Sequence, residues 1–187
     1  MQTSAVPRPL ALLHEIRSVV GEIATPGLVD DEILSFLESD SSLERAIDEA
    51  YVRHREMAAE YSELYVGSDE TALITELQGG FVNFYNPATV NPYVALAARG
   101  PWIITSHGAV VHDNGGYGML GMGHSPRNMM DAMGDTHVMA NVMTPNFAHK
   151  RFSQLLKAEV GQQRGHCPFE RFVCMNSGSE SVTVAFR

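Results

Sequence analysis

Apolar positions in the first 66 residues recur at three- and four-residue steps, the spacing of a helix that buries one face. Short patterns of this kind run from about Leu10 to Ile23 and from Asp30 to Leu37, separated by the turn signal Thr25-Pro26-Gly27. A longer one begins at Ser41 or Ser42, where Ser41 and Glu44 have capping-box spacing. Its stripe is Leu43, Ile47, Ala50, Tyr51, His54, Met57, Ala58, Tyr61, Leu64 and Tyr65, and Gly67 ends it ahead of the polar linker Ser68-Asp69-Glu70-Thr71.

The pattern then changes. Residues 79 to 125 are rich in Gly, Asn and Pro, with short β-branched or aromatic runs at Phe81–Tyr85, Trp102–Thr105 and Ala109–Val111. These predict short strands, two of them joined by a hairpin turn at Ser106-His107-Gly108. Helical spacing returns at Arg127–Met133 and from Pro145 to Val160, with Thr144 as N-cap, Pro145 at the first helical position, and Phe152, Leu155, Leu156 and Val160 as the apolar stripe. Arg171–Met175 reads as a buried strand, Asn176-Ser177-Gly178-Ser179 as the turn out of it, and Glu180 onward as a helix.

Composition narrows the function classes. The 187 residues carry a formal net charge of -9, and the only lysines are Lys150 and Lys157. No Lys/Arg stripe forms, so nucleic acid is not an expected partner. No apolar run approaches the roughly 20 residues of a membrane span, and the N-terminus makes a poor signal peptide. Cys167 and Cys174 lack a CxxC partner and read as reduced thiols of a cytoplasmic protein.

Among eight histidines, no pair has HExxH or zinc-ligand spacing with cysteines. His107 and His112 read as hairpin packing, and His166-Cys167 is a weak nucleophile pair. The methionines crowded between Met119 and Met143 read as adaptable core or subunit-interface packing.

The chemistry concentrates in FVCMNSGSESVTVAFR at the end of the chain. Ser177 and Glu180 have capping-box spacing, which sets a helix N-terminus at Gly178 and Ser179. Free backbone N–H groups and the positive end of the helix dipole make such a turn a phosphate seat. Gly178 would let the backbone approach an oxyanion, and the Ser179 hydroxyl would add a donor. The loop lacks the lysine of a P-loop and the glycines of a dinucleotide fingerprint. By itself it also serves as an ordinary helix cap.

Upstream motifs give it context. Trp102 to Asp113 looks like a D-x-x-G-x-x-Y/F-x-D hairpin with Thr105-Ser106 in place of its first aspartate. Gly121-Met122-Gly123-His124-Ser125-Pro126 looks like a glycine-histidine-proline loop, and Met175 to Ser181 like a cofactor turn. In order and spacing, residues 98 to 187 resemble the class III pyridoxal-phosphate-dependent aminotransferases, whose members include ornithine, acetylornithine and 4-aminobutyrate aminotransferases.

The resemblance implies an α/β fold of the pyridoxal-phosphate fold-type-I kind, present as its N-terminal part. Residues 1–78 would be a helical N-terminal extension, 79–135 a small-domain α+β segment, and 136–187 the truncated start of the large cofactor domain. Gly178, Ser179 and Ser177 would hold the cofactor phosphate, Tyr117 would face the substrate, and Asp113 would be structural. Neither lysine suits a Schiff base, so that residue would lie beyond Arg187 and this chain alone would be inactive. The implied enzyme is a homodimer that moves an amino group from an amine or amino acid to a 2-oxo acid. The alternatives are a non-catalytic helical interaction module fused to a degenerate remnant of such an enzyme, or a nucleotide-phosphate binder.

Overall fold

The computed structural model describes residues 6–80, 82, 93–114, 121–136, 138 and 143–187. The Phe81–Tyr85 run, Tyr117 and Met119 lie at least partly outside them. The described chain divides into two compact units, residues 1–135 and 136–187.

The first unit opens with helices α1 (Arg8–Val19), α2 (Asp30–Leu37) and α3 (Ser41–Glu60). Helix α1 buries Leu10, Leu13 and Ile16, α2 buries Ile33, and α3 buries Leu43, Ala46, Ile47, Ala50 and His54, whereas Tyr51, Met57 and Ala58 of its expected stripe are half-buried and Tyr61 is exposed. The N-cap of α3 is Asp40, one residue before the expected serine. Its carboxylate accepts from the Ser42 amide at 2.8 Å, so the Ser41–Glu44 box does not form the cap. Helix α3 breaks at Tyr61, a short α4 (Ser62–Tyr65) follows, and Gly67 at φ 75° turns the chain. The stretch read as a polar linker contains the start of another helix, α5 (Glu70–Gln78). Its Asp69 carboxylate accepts from the Glu22 amide (2.8 Å) instead of capping α5.

Strands β1 (Ala95–Arg99), β2 (Trp102–Thr105) and β3 (Val110–His112) form an antiparallel sheet in the order β1-β2-β3. Trp102 pairs with Arg99 on one side and His112 on the other. The β2–β3 turn falls at the expected Ser106-His107-Gly108. Gly108 has φ 73°, and a side chain there would also strike Arg17, which donates from Nε to the Gly108 carbonyl at 3.0 Å.

Helices and sheet share one core. Leu10, Leu13, Ile33, Leu43 and Ile47 pack with Trp102, Ile104 and Val110. At about 1.5–3 kcal/mol for each large side chain removed from water, this cluster is the main source of cohesion in the unit. Ala46 and Ala50 on α3 have side chains small enough for the helix to lie close on β1 and β2. The core therefore runs across residue 78, where composition had drawn a boundary. Helix α6 (Arg127–Gly134) closes the unit and buries none of its residues.

The second unit holds α7 (Phe147–Gly161) and α8 (Gly178–Ala185). Helix α7 starts two residues later than Pro145, because Asn146 is its N-cap and accepts from the His149 amide at 2.9 Å. Its expected stripe is largely uncovered: Phe152, Leu155 and Val160 are exposed. Residues 171–175 pair in no sheet, and Val173 is exposed. An apolar run becomes a strand only when a neighbour takes its backbone N–H and C=O groups, and no described residue of the unit does so.

Candidate functional site

The turn before α8 is built as its residue types require. Ser177, in extended conformation, turns its hydroxyl onto the Glu180 amide at 3.2 Å. The Glu180 carboxylate reaches back to the amide of Asn176 at 3.0 Å, one residue before the amide a regular capping box would use. These two bonds fix the helix start and hold the Glu180 carboxylate on the Asn176 amide. Two hydroxyls farther along α8 turn onto its own backbone: Ser181 bonds the Ser177 carbonyl at 3.1 Å and Thr183 the Ser179 carbonyl at 2.9 Å.

Gly178 and Ser179 occupy the first two helical positions, whose amides have no intrahelical acceptor. Both residues are exposed, and nothing lies within 4 Å of the position a Cβ on Gly178 would take. An oxyanion can reach the two amides and the Ser179 hydroxyl without displacing protein atoms. The turn thus fits the phosphate end of a phosphate-bearing cofactor, with backbone amides as the principal donors. Gly178 has no positive φ, so its glycine answers to no backbone requirement within this chain.

The glycine-histidine-proline loop lies in the first unit and is anchored to the sheet. His124 and Gly100 exchange backbone hydrogen bonds, 2.7 Å from the His124 amide and 3.1 Å from the Gly100 amide. Gly123, at φ 73°, passes so close that a Cβ would come within 2.8 Å of the Gly100 carbonyl oxygen. The imidazole of His124 meets Asp113 at 2.8 Å, with both side chains about four-fifths buried. Asp113, assigned a structural role by resemblance, thus ties the end of the hairpin to this loop. Tyr117 lies outside the described residues.

Two further histidines are locked inside the first unit. Tyr65 donates to the Ser106 carbonyl at 2.7 Å, so the 2.8 Å contact with His54 Nδ1 requires the imidazole to donate. Burial holds His54 below its ordinary value, opposed by the charge of Glu15, and pushes the Tyr65 phenol upward. His107 is fully buried and donates from Nε2 to the Ser68 carbonyl at 2.8 Å, leaving Nδ1 to accept from Ser106. These histidines join the hairpin turn to the α4–α5 connection.

Other candidates do not assemble. The thiol of Cys167 donates to the Phe169 carbonyl at 3.4 Å while His166 bonds the Arg164 carbonyl, so no Cys–His couple forms. Among the described residues no group of three His, Cys, Asp or Glu could hold a metal. No described helix is long and apolar enough to cross a membrane. Lys150 and Lys157 both lie on the exposed surface of α7. Comparison with family models, with curated proteins and with solved structures found no match.

Proposed function

We propose that this chain is the N-terminal part of a pyridoxal-phosphate-dependent class III aminotransferase, with Ser177, Gly178 and Ser179 as the seat of the cofactor phosphate. The observation that carries the reading is the turn itself: a serine-capped helix whose first two amides and Ser179 hydroxyl open to solvent within the motif Asn176-Ser177-Gly178-Ser179-Glu180. When bound, pyridoxal phosphate supplies the electron sink that lets an amino group pass between an amine or amino acid and a 2-oxo acid.

The chain's own part is binding and orientation. The Gly178 and Ser179 amides would donate to the phosphate, and the helix dipole would favour its charge. Ser177 holds the helix start in place, and Glu180 keeps its carboxylate on Asn176. Neither Lys150 nor Lys157 has the surroundings of a cofactor-bearing lysine, so this reading places that lysine downstream. The small-molecule amine and oxo-acid substrates, the homodimer and the cytoplasmic setting all belong to the same proposal.

The test is absorbance titration of pyridoxal phosphate into the full-length gene product. Ser179→Ala should weaken binding modestly, since amides supply most donors. Ser179→Asp should weaken it far more, because a carboxylate would face the phosphate. Equal affinity in both variants and the parent would reduce the turn to a helix cap and sink the proposal. Borohydride reduction of the present chain with the cofactor should leave no stoichiometric adduct on either lysine.

A further inference from the structure

Three arginines from three elements converge on one cavity of the first unit. Arg45 of α3, Arg99 of β1 and Arg127 of α6 line a space of about 480 Å³, together with Ser42, Glu49, Ser125, Met130 and Asp131. The chain as a whole carries 22 acidic against 13 basic residues, so three guanidiniums against two carboxylates in one cavity reverse its general balance.

The pairing within the cavity is incomplete. Glu49 is fully engaged by Arg99, which contacts both its oxygens at 2.7–3.0 Å and spends another donor on the Ser125 carbonyl at 3.2 Å. Arg45 bonds only the neutral Ser41 carbonyl and hydroxyl, each at 3.2 Å. The carboxylate nearest Arg127 is Asp131 at 3.6 Å, beyond hydrogen-bond reach. Among the described residues, two guanidinium groups therefore face the cavity without a hydrogen-bonded counter-charge. A second positive contribution enters at the same edge. Helix α6 begins between the lining residues Ser125 and Arg127, with Pro126 as N-cap, no side-chain cap and no acidic residue in its first turn. Its positive end is uncompensated.

We propose that this cavity is a binding site for a small dianionic oxyanion, a phosphate or a dicarboxylate, held by Arg45 and Arg127. A guanidinium presents paired N–H donors that match two oxygens of such an anion. Arg99 is the fixed wall, locked by Glu49, and the Ser42 hydroxyl is already committed to Asp40 at 2.5 Å. The Arg45 and Arg127 guanidiniums supply the charge. The site is independent of the Gly178 turn, which lies in the other unit.

Inorganic phosphate and, separately, succinate are titrated into the chain by calorimetry at low chloride, with amide NMR shifts to locate the anion. Binding near millimolar strength is expected for at least one of them, with shifts at Ser42, Ser125 and Met130. The R45Q/R127Q double variant should bind at least tenfold more weakly, whereas R151Q on α7 should bind like the parent. Arg45 and Arg127 are both exposed, and circular dichroism checks that the double variant remains folded. Response to phosphate alone or succinate alone identifies the source of the anion and supports the site. Failure of both anions to bind, or binding unchanged in R45Q/R127Q, overturns it. Loss in S179D with R45Q/R127Q unaffected would locate the anion on the cofactor turn and overturn it equally.

Discussion

Removing the carboxylate of Asp40 should loosen the whole first unit, because one side chain joins helix start, sheet and core. Its Oδ1 accepts from the Ser42 amide (2.8 Å) and hydroxyl (2.5 Å), and its Oδ2 accepts from the Trp102 indole (2.7 Å). Loss of an N-cap costs about 1 kcal/mol. The indole N–H belongs to a residue only 1% exposed, and leaving such a donor without an acceptor costs about 1–3 kcal/mol. Asp40 itself is half-buried, so water can partly replace it, and the sum for Asp40→Ala falls at about 2–3 kcal/mol. Asp40→Asn keeps an acceptor for the cap but turns an amide donor toward the indole, and should cost about 1–2 kcal/mol. The assay is urea unfolding followed by fluorescence, since Trp102 is the only tryptophan. Trp102→Phe and the double variant, followed by circular dichroism, complete a cycle whose coupling should be about 1 kcal/mol. A loss below about 0.5 kcal/mol for Asp40→Ala, the scale of an ordinary surface change, would refute this assignment of energies.

The same carboxylate gives a pH signature. Burial alone would raise its pKa, but hydrogen bonds from Ser42 and Trp102 outweigh burial and hold it below the usual range. Its stabilising share is then full above the unfolded value near 4 and is lost as pH falls through the lower folded value, so Asp40→Asn should flatten the acid limb. Gly123→Ala should cost about 2 kcal/mol or more, from its left-handed φ and a Cβ within 2.8 Å of Gly100, read as a lower melting temperature. Gly178→Ala, with open space and no positive φ, should leave melting unchanged or slightly raised. Glu70→Ala strands the buried amide of Thr25 and frees the more exposed amide of Ala24, which bond its carboxylate at 2.7 and 2.9 Å; about 1–3 kcal/mol and faster proteolysis near residues 20–26 are expected. Glu70→Gln retains an acceptor oxygen and should lose less. Equal losses for the two would show that the amide bonds contribute little.

Local patterns were legible in the sequence where local chemistry decides the structure. The stripes of α1, α2 and α3, the hairpin turn at Gly108 and the Ser177 cap each rest on a few neighbouring residues. Adjacent residues with similar capping ability displaced the starts of α3 and α7 by one or two positions. Strand β1 was missed because Ala95-Leu96-Ala97-Ala98-Arg99 is rich in alanine, a poor strand former. It is a strand because β2 pairs with it and α3 lies against it. Helix α5 was read as linker because its start is polar, although that start contains Glu70, whose carboxylate is buried by residues some 45 positions earlier.

The candidate sites divide along the same line. A phosphate seat at Ser177-Gly178-Ser179 is continuous in sequence, so spacing alone could propose it. The arginine cavity is not continuous: residues 45, 99 and 127 have neither a shared motif nor a common period, and α3, β1 and α6 bring them together. What sequence could have offered was only the scarcity of cations, with each arginine in so acidic a chain worth asking about individually. The fold answers differently for each. Arg17 is spent on Asp30 and the Gly108 carbonyl, and Arg99 on Glu49, so both serve cohesion. Arg45 and Arg127 have no such carboxylate bond among the described residues, although they border the same space. An exposed guanidinium gains little stability from a nearby surface charge, so stability alone does not account for two of them meeting over one cavity, and an anion held between them does.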